Sequence, residues 1–202
     1  MYKNCVKRIL SFTIALIALI CIGWLILLVA IWLHYANKGA GAFFLQERPG
    51  KDAKLFKVIK FKTMTDEVDA NGIPLPDELR LTKVGRFVRT TSIDELPQLI
   101  NVLKGDMALI GPRPLLPQYL SIYTPEQMRR HEVRPGITGW AQIHGRNELA
   151  FTDRFKYDVY YVDHLTFAMD MKIFMLTILK VFKREGISAE GMATVDTFNG
   201  KN

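Results

Sequence analysis

Residues 91–114 read TSIDELPQLINVLKGDMALIGPRP. Leu96, Leu99, Ile100 and Leu103 recur at helical spacing, and Gly105 follows as a stop. Just before this helix stand two adjacent carboxylates, Asp94 and Glu95, inside Ser92-Ile93-Asp94-Glu95, which matches the S-x-x-E capping box. Pro97 leaves the register open. If Ser92 caps, Pro97 falls inside the helix and removes a hydrogen bond; if Asp94 caps, Pro97 lies in the tolerated first turn. Either way both carboxylates lie at a helix N-terminus, where a lone acidic pair ordinarily does no more than complement the dipole. Downstream, Gly111-Pro112-Arg113-Pro114 stiffens the backbone around one arginine. That is either a rigid surface turn or a guanidinium held ready for two phosphate oxygens.

Toward the N-terminus, Phe12 to Leu33 carries no charge and is long enough to enter a bilayer. Lys3, Lys7 and Arg8 would suit a signal peptide, but the run is longer than a usual signal core and no small-x-small cleavage site follows. Basic residues flank both ends, with Lys38, Arg48, Lys51, Lys54 and Lys57 on the far side, so the positive-inside bias pulls both ends to the cytosol. A re-entrant helix satisfies both flanks and needs a break, for which Gly23 is the candidate. A straight span with one basic flank outside is the alternative.

The chain has 27 basic and 20 acidic residues, a net charge of +7, which favours anionic partners such as phosphorylated substrates or acidic lipids. Charge alone leaves nucleic acid open. The only cysteines are Cys5 and Cys21, so neither disulfides nor cysteine-bound zinc organise the domain, and a reducing, cytosol-facing setting fits. Ala42 to Gln46 and Leu55 to Met64 read as two strands around RPGKD. Lys60 and Lys62 share a face of the second, where lysines ordinarily guard an edge. Asp66 to Glu78 reads as an exposed loop. In RPGITGWAQIHGRN, Arg134 and Arg146 stand among Gly136, Gly139 and Gly145, a backbone able to approach a diphosphate.

Phe155 to Tyr161 and Leu165 to Phe182, with Lys172, Lys180, Lys183 and Arg184, have the pattern of basic interfacial helices, against the plainer reading of helices on a core. Asp158 and Asp170 could serve an active site, but as single carboxylates on helices they are expected to face solvent. The histidines lack metal-ligand spacing. The fold class expected is α+β: a membrane helix over 1–37, re-entrant or spanning, then a compact, mostly helical catalytic domain over 38–202 with a small β-hairpin.

FKTM (61–64), SIDELPQLINVLKGDMALIGPRP (92–114) and RPGITGWAQIHGR (134–146) together resemble the bacterial sugar transferases, the monotopic phosphoglycosyl transferases. The resemblance runs from Lys7 to Asn202, and the ending TFNGKN is similar to the bacillosamine-phosphate transferases of bacterial N-linked glycosylation. It implies that Asp94 attacks the sugar-linked phosphate of a UDP-sugar, UDP-N,N'-diacetylbacillosamine or a related UDP-N-acetylhexosamine, and expels UMP. Undecaprenyl phosphate then takes the phosphosugar from the aspartate.

Magnesium is implied as cofactor, held by Asp94 and Glu95, the latter as metal ligand or orienting group, with Arg113, Lys60, Arg89 and Arg146 as substrate-binding residues. Further partners implied are membrane lipids and, optionally, a second copy of the chain; nucleic acid is not among them. The location implied is the cytoplasmic face of the bacterial inner membrane. The family usually breaks its membrane helix with Ser-Pro, where this chain has Gly23-Trp24, and Ser11 stands where aspartate is common. Two rivals are an anchored magnesium-dependent phosphohydrolase and a non-catalytic anchored scaffold.

Overall fold

The apolar N-terminal stretch forms one helix, α1 (Lys7–Ala36), in the computed structural model, which describes residues 2–145, 149–183 and 197–200. Leucine, isoleucine and alanine favour helix, and the backbone runs on through Gly23 without the break that a re-entrant bend there requires. An interior glycine costs only about 1 kcal/mol relative to alanine, too little by itself to interrupt a helix packed along its length. A Cβ at Gly23 would meet nothing within 4 Å. Gly23→Ala should therefore stabilise the detergent-solubilised protein by roughly 0.5–1 kcal/mol, read as a higher thermal midpoint. A lower midpoint would show that the glycine serves a bend.

One face of α1 lies along the domain. Ser11, Ala15, Val29 and Leu33 are buried; Ala15, with Ala18, Leu19 and Ile22, packs on Val58, Leu99, Val102 and Met107, while Val29 and Leu33 pack on Phe61 and Val88. The opposite face is just as apolar and is bare: Ile20 is 73% exposed, and Trp24, Leu27 and Leu28 are exposed beside it. Such a surface needs an apolar medium. Both ends of α1 are fastened to the same body. Lys7 pairs with Asp170 and donates to the Tyr161 hydroxyl, and Arg8 donates to the carbonyls of Val102 and Leu103. At the other end the Asn37 amide donates to the carbonyls of Gly41 and Lys62.

After α1 come β1 (Phe43–Pro49), β2 (Leu55–Phe61), α2 (Asp77–Arg80), α3 (Lys83–Thr90), α4 (Gln98–Lys104), β3 (Ala108–Ile110), α5 (Pro125–Met128), β4 (Gly136–Thr138), α6 (Trp140–Ile143), α7 (Phe151–Asp163) and α8 (Phe167–Lys183). The class is α+β, as the sequence indicates. The hairpin is formed, with β1 antiparallel to β2 from Phe43 opposite Phe61 to Pro49 opposite Leu55. Its first strand runs three residues past Gln46, to Pro49, and its second stops at Phe61 rather than Met64.

A second, parallel pair, β3 with β4, has no counterpart in the sequence reading. It explains the glycines of the third motif: a Cβ on Gly136 would lie 2.1 Å from the Gly111 nitrogen, and one on Gly139 2.1 Å from the Gly111 oxygen. These two glycines let backbone meet backbone rather than ligand. Asp158 and Asp170 are buried, 1% and 5% exposed, not solvent-facing as expected, because each is matched by a buried cation. In α8, Met169, Asp170 and Ile173 face the core, as in a helix packed on a core, while Phe167, Met171, Phe174, Met175 and Ile178 are exposed on the opposite face. The side chain of Lys183 and all of Arg184 lie outside what is described.

Candidate active site

Asp94 and Glu95 occupy a single 3-10 turn, Ile93–Glu95, that leads into α4. The capping box does not form: Ser92 sits at φ 57, a left-handed conformation, and its side chain makes no capping bond. Such a φ is uncommon outside glycine and asparagine, and a strained turn next to acidic side chains is the kind of feature found at functional sites. Pro97, which has no N–H to offer, occupies the N-cap position of α4 itself. Neither Asp94 nor Glu95 caps the helix, so both carboxylates remain for other work. Gly105 ends α4 as expected, at φ 94.

Glu95 binds two cations from separate parts of the chain. Its Oε1 accepts from the Arg113 guanidinium at 2.6 Å and from the Lys60 ammonium at 2.9 Å. Lys60 arrives through β2, which is pinned to α4 by Asn101. The Asn101 side chain accepts from the Ile59 amide at 3.0 Å and donates to the Lys57 carbonyl at 2.8 Å, as a neighbouring strand would. Asn101 is 1% exposed, so losing these bonds would strand polar groups.

Arg113 arrives through the GPRP turn, which is fixed from two sides. Gly111 donates to the Thr138 carbonyl at 2.8 Å and Gly136 to the Pro112 carbonyl at 3.0 Å. The Arg113 carbonyl accepts from the Arg130 guanidinium at 2.7 Å, and Arg130 is itself held by two bonds to Asp158 Oδ2, at 2.7 and 3.0 Å.

The two carboxylates end in opposite electrostatic states. Burial pushes the Glu95 carboxyl up, but the charges and hydrogen bonds of Arg113 and Lys60 outweigh it and hold Glu95 well below the usual carboxylate range. Asp94 makes no side-chain hydrogen bond or ion pair among the described residues. Burial and then the Glu95 charge push it up to about 6, against the pull of Lys60, Arg113 and Arg89. Adjacent acids forced apart in this way mark a division of roles. Arg89, on α3, donates to the Thr63 hydroxyl at 2.8 Å, and its charge is felt by Asp94.

Five of the six site residues named from sequence, Asp94, Glu95, Lys60, Arg89 and Arg113, therefore converge; the sixth, Arg146, lies outside the described residues. Lys62 does not join them. It lies beyond β2 and bonds the Ala40 carbonyl and Asp66. Arg134 turns away to the Gly105 carbonyl. Sequence reasoning missed Asn101 and Arg130; Asp158, which it allowed as able to serve the site, reaches it through Arg130. For Asn101 a signal existed: a lone amide between Ile100 and Val102, where a helix on a core would carry an apolar residue.

The sequence matches the family described as bacterial sugar transferase over residues 2–184. An uncharacterized sugar transferase of Bacillus subtilis is 52% identical over 96% of this chain and 96% of its own length. An undecaprenyl-phosphate glucose phosphotransferase of Komagataeibacter xylinus is 40% identical over 88% of this chain and 36% of its own length. In Aeromonas hydrophila, a UDP-N-acetylgalactosamine-undecaprenyl-phosphate N-acetylgalactosaminephosphotransferase is 38% identical over 86% of this chain and 43% of its own length. The chain thus spans nearly all of the first relative and less than half of the other two.

Proposed function

Because this chain belongs to the bacterial sugar transferase family, we propose that it transfers a phosphosugar from a UDP-sugar to undecaprenyl phosphate through a covalent intermediate on Asp94. The observation that carries the reading is the split acidic pair, Glu95 neutralised by Lys60 and Arg113 beside an Asp94 that has cations near it and no side-chain partner among the described residues.

An Asp94 carboxylate oxygen attacks the sugar-linked phosphorus. The bond from that phosphorus to the bridging oxygen breaks, and UMP leaves with the electron pair. An oxygen of the lipid phosphate then attacks the same phosphorus and Asp94 leaves as carboxylate. Through this exchange Arg113, Lys60 and Arg89 hold positive charge around the phosphoryl oxygens. Magnesium fits the donor set. Asp94 offers a carboxylate with no side-chain partner among the described residues, and magnesium takes one or two carboxylates and completes its shell with phosphate oxygens and water. Asp94, with Glu95 beside it, would hold it, and the ion would supply further neutralisation of the diphosphate.

The relatives' names include glucose and N-acetylgalactosamine donors, so the family leaves the sugar open among UDP-hexoses and UDP-N-acetylhexosamines, bacillosamine included. TFNGKN carries less weight toward bacillosamine, since its Phe198 is buried against Tyr119, Phe151 and Phe155 and has a packing role. We place the protein on the cytoplasmic face of the inner membrane. Support comes from α1, whose two ends are fastened to one body, and from the exposed apolar faces of α1 and α8. With both basic flanks on one side, α1 beds its outer face into that leaflet.

The test is a panel of UDP-sugars with and without undecaprenyl phosphate, following UMP and lipid-linked product. UMP with phosphosugar released only to water would favour the phosphohydrolase, and no UMP from any donor would favour the scaffold. Arg113→Lys should lower kcat/KM by about 10- to 100-fold, because one ammonium cannot keep Glu95 and also present a fork to phosphate. Arg129→Lys, in an exposed ion-pair cluster, should change it less than about twofold. Equal effects of the two would reduce GPRP to a turn.

A further inference from the structure

At the far end of α4 from the acidic pair, about 10 Å along the helix, lies a cavity of about 210 Å³ lined by Lys3, Lys7, Arg8, Lys51, Glu132 and Arg134. Two of these charges are already matched: Lys7 pairs with Asp170, and Glu132 with Arg129. The other four are cations with no ion pair among the described residues. Arg8 and Arg134 donate to backbone carbonyls, those of Val102 and Leu103 and that of Gly105. The two guanidinium groups repel each other, an effect that nearby Asp106 only partly offsets. Lys3 and Lys51 are exposed at the rim.

Four like charges converging on one cavity favour an anion, and two guanidinium groups with spare donors suit phosphate oxygens. The surroundings say what carries the phosphate. The cavity is partly built from α1, whose next residues outward, Ile9 and Phe12, are 58% and 41% exposed, and Leu165 joins its wall. At roughly 30 Å³ per water, its volume holds about seven water-sized groups, enough for a phosphate with part of a glycerol unit.

We propose that this cavity binds the phosphate headgroup of an anionic membrane phospholipid, with its acyl chains along the outer face of α1, at a site distinct from the one built on Asp94. The phospholipid is then a fixed part of the membrane-seated enzyme rather than a substrate.

The full chain, purified in neutral detergent, is incubated with phosphatidylglycerol or phosphatidylcholine, and retained lipid is counted by native mass spectrometry. One phosphatidylglycerol per chain is expected, with at least tenfold less phosphatidylcholine. Lys3→Glu with Lys51→Glu should cut phosphatidylglycerol retention at least tenfold, while Lys156→Glu, a charge reversal elsewhere on the surface, should leave it unchanged. Should the double variant have a lowered thermal midpoint, Lys51→Gln, on an exposed turn, repeats the measurement with an expected loss of severalfold.

Equal retention of the two lipids, or undiminished retention in the lysine variants, overturns the proposal. So does displacement by inorganic phosphate at equal concentration, which would make the site one for free phosphate. Undecaprenyl phosphate is added last. Retention of both lipids together supports a separate site, and one-for-one displacement of phosphatidylglycerol overturns it.

Discussion

Asp94→Asn should lower turnover by about 10³-fold or more, the scale on which enzymes lose rate when a covalent nucleophile is removed. An amide of the same shape can sit in the turn but cannot form the acyl phosphate. Incubating the parent protein with UDP-sugar alone should leave a phosphosugar mass on the peptide that carries Asp94, and the variant should show none. Substantial activity in the variant would move the nucleophile elsewhere.

Stability should shift the other way. A carboxyl whose folded pKa, about 6, stands above its ordinary value of 3.8 holds its proton more readily when folded, so ionisation opposes folding. That opposition is complete above about pH 6 and fades as pH falls toward 3.8, where both states are protonated. With metal chelated, Asp94→Asn should therefore raise the thermal midpoint at pH 7 and lose that advantage near pH 4. A lower midpoint at pH 7 would mean that Asp94 makes a stabilising contact.

What the sequence showed about this site, and what it hid, follows from the range over which each signal acts. Asp94-Glu95 before an apolar repeat, a proline-fenced Arg113 and the stop at Gly105 are local patterns, and the structure contains each of them. The capping box is local too, yet it failed, because a match of residue types does not fix Ser92 to the extended backbone a cap requires. The β3–β4 pair was illegible because parallel pairing joins residues far apart in sequence and each strand has only three residues. Without that pair, the glycines of RPGITG read as ligand-approaching when they admit a second backbone. Buried charges were misjudged for a related reason: Asp158 looks like any helical carboxylate until folding brings Arg130 to it from 28 residues away.

That pair is where the second large effect is expected, because it joins stability to catalysis. Arg130 cannot lose its proton and both side chains are 1% exposed, so removing one partner leaves a buried charge unmatched. Asp158→Asn should cost about 3–5 kcal/mol of stability, visible as a fall in thermal midpoint far larger than that from breaking the exposed Lys156–Asp153 pair. Activity lost in that variant would be ambiguous, since a destabilised protein works poorly for many reasons. Replacing both partners, Arg130→Met with Asp158→Leu, separates the effects. Well-packed apolar side chains can substitute for a buried ion pair at little cost, so much of the stability should return. The Arg113 carbonyl, however, still lacks the donor that Arg130 supplies at 2.7 Å. The GPRP turn loses a restraint, and kcat should stay about tenfold or more below that of the parent, because a misplaced guanidinium stabilises the transition state poorly. If the double variant recovers both stability and kcat, the pair serves only the core. Recovery of stability without kcat identifies Arg130 as the residue that positions Arg113.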